Sequence, residues 1–161
     1  MKTLSTIAAA AALAACGAPA ESQRQDWSDW QFIEERDHFT DRVAYGAAVY
    51  GFHSVMPRAI TFMCSGEVAA VTFADGFFHM GQHLSVRVRV DTGDSWTMSA
   101  RELSSGSYAV TNIESVQRFA NEVREGRNTV VFRMGDDTMV VPLRGSTRAI
   151  DRFASNCDVV E

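Results

Sequence analysis

His83-Leu84-Ser85-Val86-Arg87-Val88-Arg89-Val90-Asp91 alternates apolar and polar side chains residue by residue. Leu84, Val86, Val88 and Val90 fall on one side, and His83, Ser85, Arg87, Arg89 and Asp91 on the other. That two-residue period is the mark of a strand buried on one face. Thr92-Gly93-Asp94 then breaks the pattern as a turn and leads into Ser95-Trp96-Thr97-Met98. The centre of the chain therefore reads as β-structure with tight reversals.

Upstream, residues 43–52 are small, aromatic and uncharged, consistent with a buried strand. Ala59 to Cys64 and Val68 to Ala74 are apolar runs separated by Ser65-Gly66-Glu67, the spacing of a hairpin. Downstream, Thr129 to Met134 and Thr138 to Leu143 flank Gly135-Asp136-Asp137, a second hairpin signal. Met63, Met98, Met134 and Met139 fall inside these runs and are expected in the core.

Two segments change period. Ile113, Val116, Ala120 and Val123 recur at helical spacing between Asn112, a capping residue, and Gly126, a stop. Ala149, Ile150, Phe153, Ala154 and Cys157 form the apolar face of a last helix, with Ser146 the expected cap. The expected fold is α+β: a mainly antiparallel sheet, as a sandwich or a roll, with two short helices in the C-terminal half.

The chain has 161 residues, 46% apolar and 22% charged, which excludes collagen-like and wholly disordered classes. Its net charge of -5 repels nucleic acid, and the only lysine is Lys2. Three cysteines are too few for a disulfide-dense miniprotein or a four-thiolate zinc site.

Met1-Lys2 precedes a short apolar run from Leu4 to Ala15, the layout of a secretory signal and too short to span a bilayer. The run ends Leu13-Ala14-Ala15-Cys16-Gly17, which resembles the lipobox of bacterial lipoproteins. The resemblance implies a signal peptide of residues 1–15, and diacylglycerol on the Cys16 thiol with acylation, typically palmitate, of its new amine. Residues 16–26 then form a flexible tether, and residues 27–161 a single domain. Gly17, in place of the Asp that retains such proteins at the inner membrane, implies the periplasmic face of the outer membrane. Ala18-Pro19-Ala20 offers an ordinary cleavage site as the alternative. Without residues 1–15 the chain has fourteen Arg against twenty acidic residues, so no polybasic patch assists membrane binding.

A longer succession of residues carries a second resemblance. Trp27 or Trp30 is followed by Asp37-His38-Phe39-Thr40-Asp41, Cys64, Val86 to Asp91 and Trp96. Pro142-Leu143-Arg144-Gly145-Ser146, Ala149-Ile150 and Cys157 complete it. This order is similar to small secreted bacterial domains of the type VI secretion-associated kind and, more distantly, to the invasion-associated locus B family. It spans roughly residues 27–157 and implies a non-enzymatic protein, with no catalytic residue carried over. The lipobox departs from that pattern.

Few residues suggest chemistry. His79 and His83 stand four apart with Asp75 before them, but Gly76, Phe77, Phe78 and Gly81 argue for a loop rather than a metal-binding helix. Exposed loop histidines are expected, with no metal and no cofactor. Cys64 with His79 or His83 could serve a small thiol- or His-dependent periplasmic hydrolase, yet an exported thiol oxidises when a second Cys is in reach. Glu34-Glu35 and Asp136-Asp137 read as solvated charge, since general acid catalysis needs a buried, perturbed pair.

With Cys16 assigned to lipid, Cys64 and Cys157 are the one possible pair in an oxidising compartment, and a disulfide between them is expected. His83, Arg87 and Arg89 form a cationic row suited to an acidic periplasmic protein or an anionic envelope polymer. The expected function is a lipid-anchored envelope protein with a non-catalytic binding or structural domain. The alternatives are an accessory of a type VI-like secretion system and the hydrolase above.

Overall fold

The computed structural model describes residues 26–53, 56–66, 68–74, 84–104 and 106–157. The described residues form β1 (Asp26–Trp27), β2 (Gln31–Arg36), β3 (Val43–His53), β4 (Met56–Ser65) and β5 (Val68–Ala74). They continue through β6 (Leu84–Val90), β7 (Trp96–Ser104), β8 (Ser107–Val110) and α1 (Ile113–Glu125) to β9 (Thr129–Met134), β10 (Asp137–Pro142) and α2 (Ser146–Ala154). Every strand pair is antiparallel. The spatial order is β1-β3-β4-β5-β8-β7-β6-β9-β10, with β2 also paired to β3. The fold is mainly antiparallel α+β with both helices in the C-terminal half.

The described strands form one sheet rather than two facing ones, and it curls. Phe73 on β5 and Phe132 on β9 lie four strand intervals apart, about 19 Å across a flat sheet. Their ring centroids are 5.5 Å apart, so the sheet bends to bring them together. The helices fill the concave side. Phe119 of α1 stands 5.3 Å from Phe62 and 5.9 Å from Phe73, and Phe153 of α2 is 6.1 Å from Phe62. All five rings are fully buried. The helices, rather than a second sheet, cover the concave apolar face, so the sandwich alternative does not form among the described residues.

Trp30 draws the two ends of the sheet toward each other. Its backbone N–H donates to Arg144 O at 2.9 Å, and its indole Nε1–H donates to Pro142 O at 3.0 Å. Asp29 and Arg144 add an ion pair across the same junction. The chain just before β2 is thus bonded to the chain that leaves β10.

α1 has the bounds its periodicity predicts. The Asn112 side chain accepts from Ser115 N–H at 2.9 Å, and Val116, Phe119, Ala120 and Val123 are buried. Gly126 follows, but not for a left-handed backbone, since its φ is -64°. A Cβ there would collide with the Leu143 and Val90 side chains. The requirement is close packing. At α2 the expected cap is displaced by one residue: Gly145, at φ 83°, is the N-cap, and Ser146 begins the helix. Glycine reaches that positive φ without steric cost, and Ser146 turns inward to 1% exposure instead of capping.

Met98, Met134 and Met139 are in the core, whereas Met63 is 41% exposed. The neighbours of Met63, Phe62 and Cys64, point inward, so strand alternation sends Met63 outward. Asp26–Trp27, Gln31–Arg36 and Ser107–Val110 are strands that no alternation in the sequence announced.

Asp91, expected only as the polar end of a strand, is a clamp. At φ 49° it turns its carboxylate onto three backbone N–H groups, Arg127 at 2.8 Å, Asn128 at 2.9 Å and Thr129 at 2.8 Å. These donors, Arg127 first, hold the carboxyl below its ordinary value of 3.8. A depressed folded-state pKa contributes stability that is present above the unfolded value and lost as pH falls through the folded one. Asp91→Ala should cost about 1 kcal/mol, the scale of a lost helix cap. Asp91→Asn should flatten the loss of stability below pH 3.8, the ordinary value. Urea midpoints across that range check it, and an unchanged acid slope would count against the clamp.

Candidate functional site

The expected cationic row lies on the convex side of the sheet. Val86 and Val88 are buried, while Ser85, Arg87 and Arg89 are exposed. His83 falls outside the described residues, as do Asp75, His79 and Cys16 with its leader and tether through residue 25.

Tertiary pairing extends the row across a second strand. β6 pairs with β9 so that Arg87 stands directly opposite Arg133 and Arg89 opposite Val131. Thr97 flanks Arg87 on β7, and Thr138 flanks Arg133 on β10. Arg87, Arg89, Ser95, Val131, Arg133 and Thr138 line a shallow depression of about 230 Å³.

Outward positions on these four strands, inferred from the buried alternates Met98, Ala100, Val86, Val88, Val130, Phe132, Met134, Met139 and Val141, include no carboxylate. They are Thr97, Ser99, Arg101, Leu103, Ser85, Arg87, Arg89, Thr129, Val131, Arg133, Thr138, Val140 and Pro142. Arg133 Nε donates to Gly135 O at 3.1 Å, and its Nη2 lies 3.8 Å from Asp136 in the turn. An exposed contact of that length contributes little. Like charges directly opposite each other on neighbouring strands are unfavourable, by roughly 0.2–1 kcal/mol. Arg87 facing Arg133 is therefore a local cost, and an anion seated between them would relieve it.

The convex surface changes character toward β3. There Ile33, Ala44, Tyr50, Thr61, Met63 and Ala70 line a mainly apolar depression of about 410 Å³. The sequence signal was present in the small residues of 43–52, but their outward share shows only once the register is known.

The candidates for chemistry are separated or enclosed. Glu34 and Glu35 are exposed on β2, and Asp136 is exposed in the turn before β10. Cys64 is 4% exposed, with its Sγ at disulfide distance from that of Cys157 and the Cα atoms 6.2 Å apart. That separation is within the usual range of about 4.4–6.8 Å. Among the described residues no group of three or more His, Cys, Asp or Glu could hold a metal ion. No helix among them is long and apolar enough to cross a membrane. No family model, curated protein or solved structure matches the chain.

Proposed function

We propose that this is a lipid-anchored envelope protein, held through Cys16 at the periplasmic face of the outer membrane. Its domain is a non-catalytic binding module whose convex β6–β9 face takes an anionic envelope polymer. The observation that carries the binding reading is Arg87 opposite Arg133 on strands whose outward positions hold no carboxylate, with Asp136 in the adjoining turn the nearest acidic group to Arg133. Guanidinium groups match phosphate and carboxylate geometry, and the flanking Ser and Thr hydroxyls offer further hydrogen bonds to a glycan. The anchor rests on Leu13-Ala14-Ala15-Cys16. The hydrolase alternative needs a reduced, accessible Cys64, and its burial against Cys157 argues against it. A role as a secretion-system accessory rests on residue order alone.

Arg133→Glu separates binding from folding. It converts the like-charge pair into an opposite pair, so stability should rise by about 0.2–1 kcal/mol. Retention on a phosphorylated envelope glycan, with dextran sulfate as a reference polyanion, should fall, and wild-type retention should weaken with salt. Retention equal to wild type would sink the binding surface. Retention lost in the wild type and kept by an acidic periplasmic protein would shift the partner class. Labelled palmitate should enter the wild-type chain and not Cys16→Ser; equal label in both would end the lipoprotein reading.

A further inference from the structure

A second cationic feature lies away from the convex face, where the ends of the sheet meet α2. Asp29, Trp30, Phe32, Arg144, Thr147, Arg148 and Arg152 are among the residues lining a cleft of about 470 Å³. Arg148 and Arg152 are four residues apart and so lie one turn apart on α2, and Arg144 precedes its N-cap. We propose that this cleft is a binding site for a phosphate group, held by Arg144, Arg148 and Arg152.

Two of the three guanidiniums are already oriented. The Arg152 guanidinium sits 4.2 Å above the centroid of the Phe32 ring, which in turn stacks on Tyr45 at 6.2 Å. Arg144 is held by the ion pair to Asp29. Arg148, between them in sequence, is exposed and has no ion-pair partner among the described residues. Restricting the flanking side chains lowers the entropy that a ligand must overcome to engage all three.

Charge selects the class of ligand. Three arginines and one lining carboxylate, Asp29, leave a net charge of +2. A phosphate monoester carries about -1.5 to -2 at neutral pH and presents three acceptor oxygens. A single carboxylate supplies one charge in one plane, and so leaves one guanidinium unmatched. Asp29 competes with the ligand for Arg144, which makes it an internal rival.

That rivalry gives opposite signs for two exposed substitutions. The full mature chain is titrated at constant ionic strength with inorganic phosphate and with glycerol phosphate, with chloride as the control. Both phosphate compounds should bind in preference to chloride. Arg148→Gln should weaken them about tenfold, the worth of one charge-assisted contact. Asp29→Asn should tighten them several-fold, and Arg87→Gln on the convex face should leave them unchanged. A second arm uses vesicles containing phosphatidic acid. Arg148-dependent binding to vesicles without binding of the soluble esters would assign the phosphate to a lipid headgroup; binding of the soluble esters would assign it to a free metabolite or sugar phosphate. The proposal is overturned if Arg148→Gln binds like wild type in whichever arm shows binding, if Asp29→Asn fails to tighten that binding, or if neither the soluble phosphates over chloride nor the phosphatidic acid vesicles are bound.

Discussion

Cys64→Ala and Cys157→Ala should each lower stability by about 2–4 kcal/mol, or roughly 7–14 °C in melting temperature for a domain of this size. The two cysteines are 93 residues apart in sequence and at bonding distance in space. A cross-link over a loop of that length restricts the unfolded chain by an amount worth about 4.7 kcal/mol, and measured values commonly fall below it. Cys64 is near the end of β4, while Cys157 lies just beyond α2. Loss of the link should therefore release α2 first, which hydrogen exchange on residues 146–157 would register before the sheet responds. The double variant should be no less stable than either single one, because both remove the same bond. Thiol counting on unfolded, non-reduced protein decides the premise: no free thiol supports the link, and two refute it.

Trp30→Ala should cost about 3–5 kcal/mol, the range for truncating a buried tryptophan. The indole is 4% exposed and packs 6.0 Å from the Phe62 ring, centroid to centroid. Its removal also leaves Pro142 O without its donor. The effect should be local in a recognisable way, with faster amide exchange at Leu143, whose N–H donates to Asn128 O, and at Ser146, whose N–H donates to Leu143 O. Trp30→Phe retains most of the ring contact and loses the Nε1–H bond, so about 1 kcal/mol should go. A Trp30→Ala cost below about 1 kcal/mol would mean that the junction between the sheet ends closes without the indole.

Much of the domain could be read from local pattern. The alternation from Leu84 to Val90 specified which side of β6 is buried, and the spacing of Val116, Ala120 and Val123 located α1. The glycine signals at 66 and 135 marked hairpins, and both residues adopt the positive φ that such turns use. Counting cysteines singled out the Cys64–Cys157 pair that the fold brings together. These features depend on residues close in sequence, where period and steric preference act directly.

Other features depend on which strand lies beside which. Nothing near β6 in sequence identifies β9 as its neighbour, so the pairing of Arg87 with Arg133 emerged only with the sheet. β2 was missed because its sequence, Gln-Phe-Ile-Glu-Glu-Arg, has no clean alternation and lies at the margin of the sheet. The outward Met63 and the inward Ser146 required knowledge of register and of a left-handed Gly145. The arginines around α2 became a cleft only when Asp29 and Phe32 were brought against them from more than 100 residues away. The sequence by itself determined which faces are apolar, where the chain turns and which cysteines can pair, because these follow from short-range periodicity and composition. Tertiary structure alone decided the strand order, the curl of the sheet, the addition of Arg133 to the row of Arg87 and Arg89, and the cleft at α2, because burying the apolar faces against one another selects partners without regard to their distance along the chain.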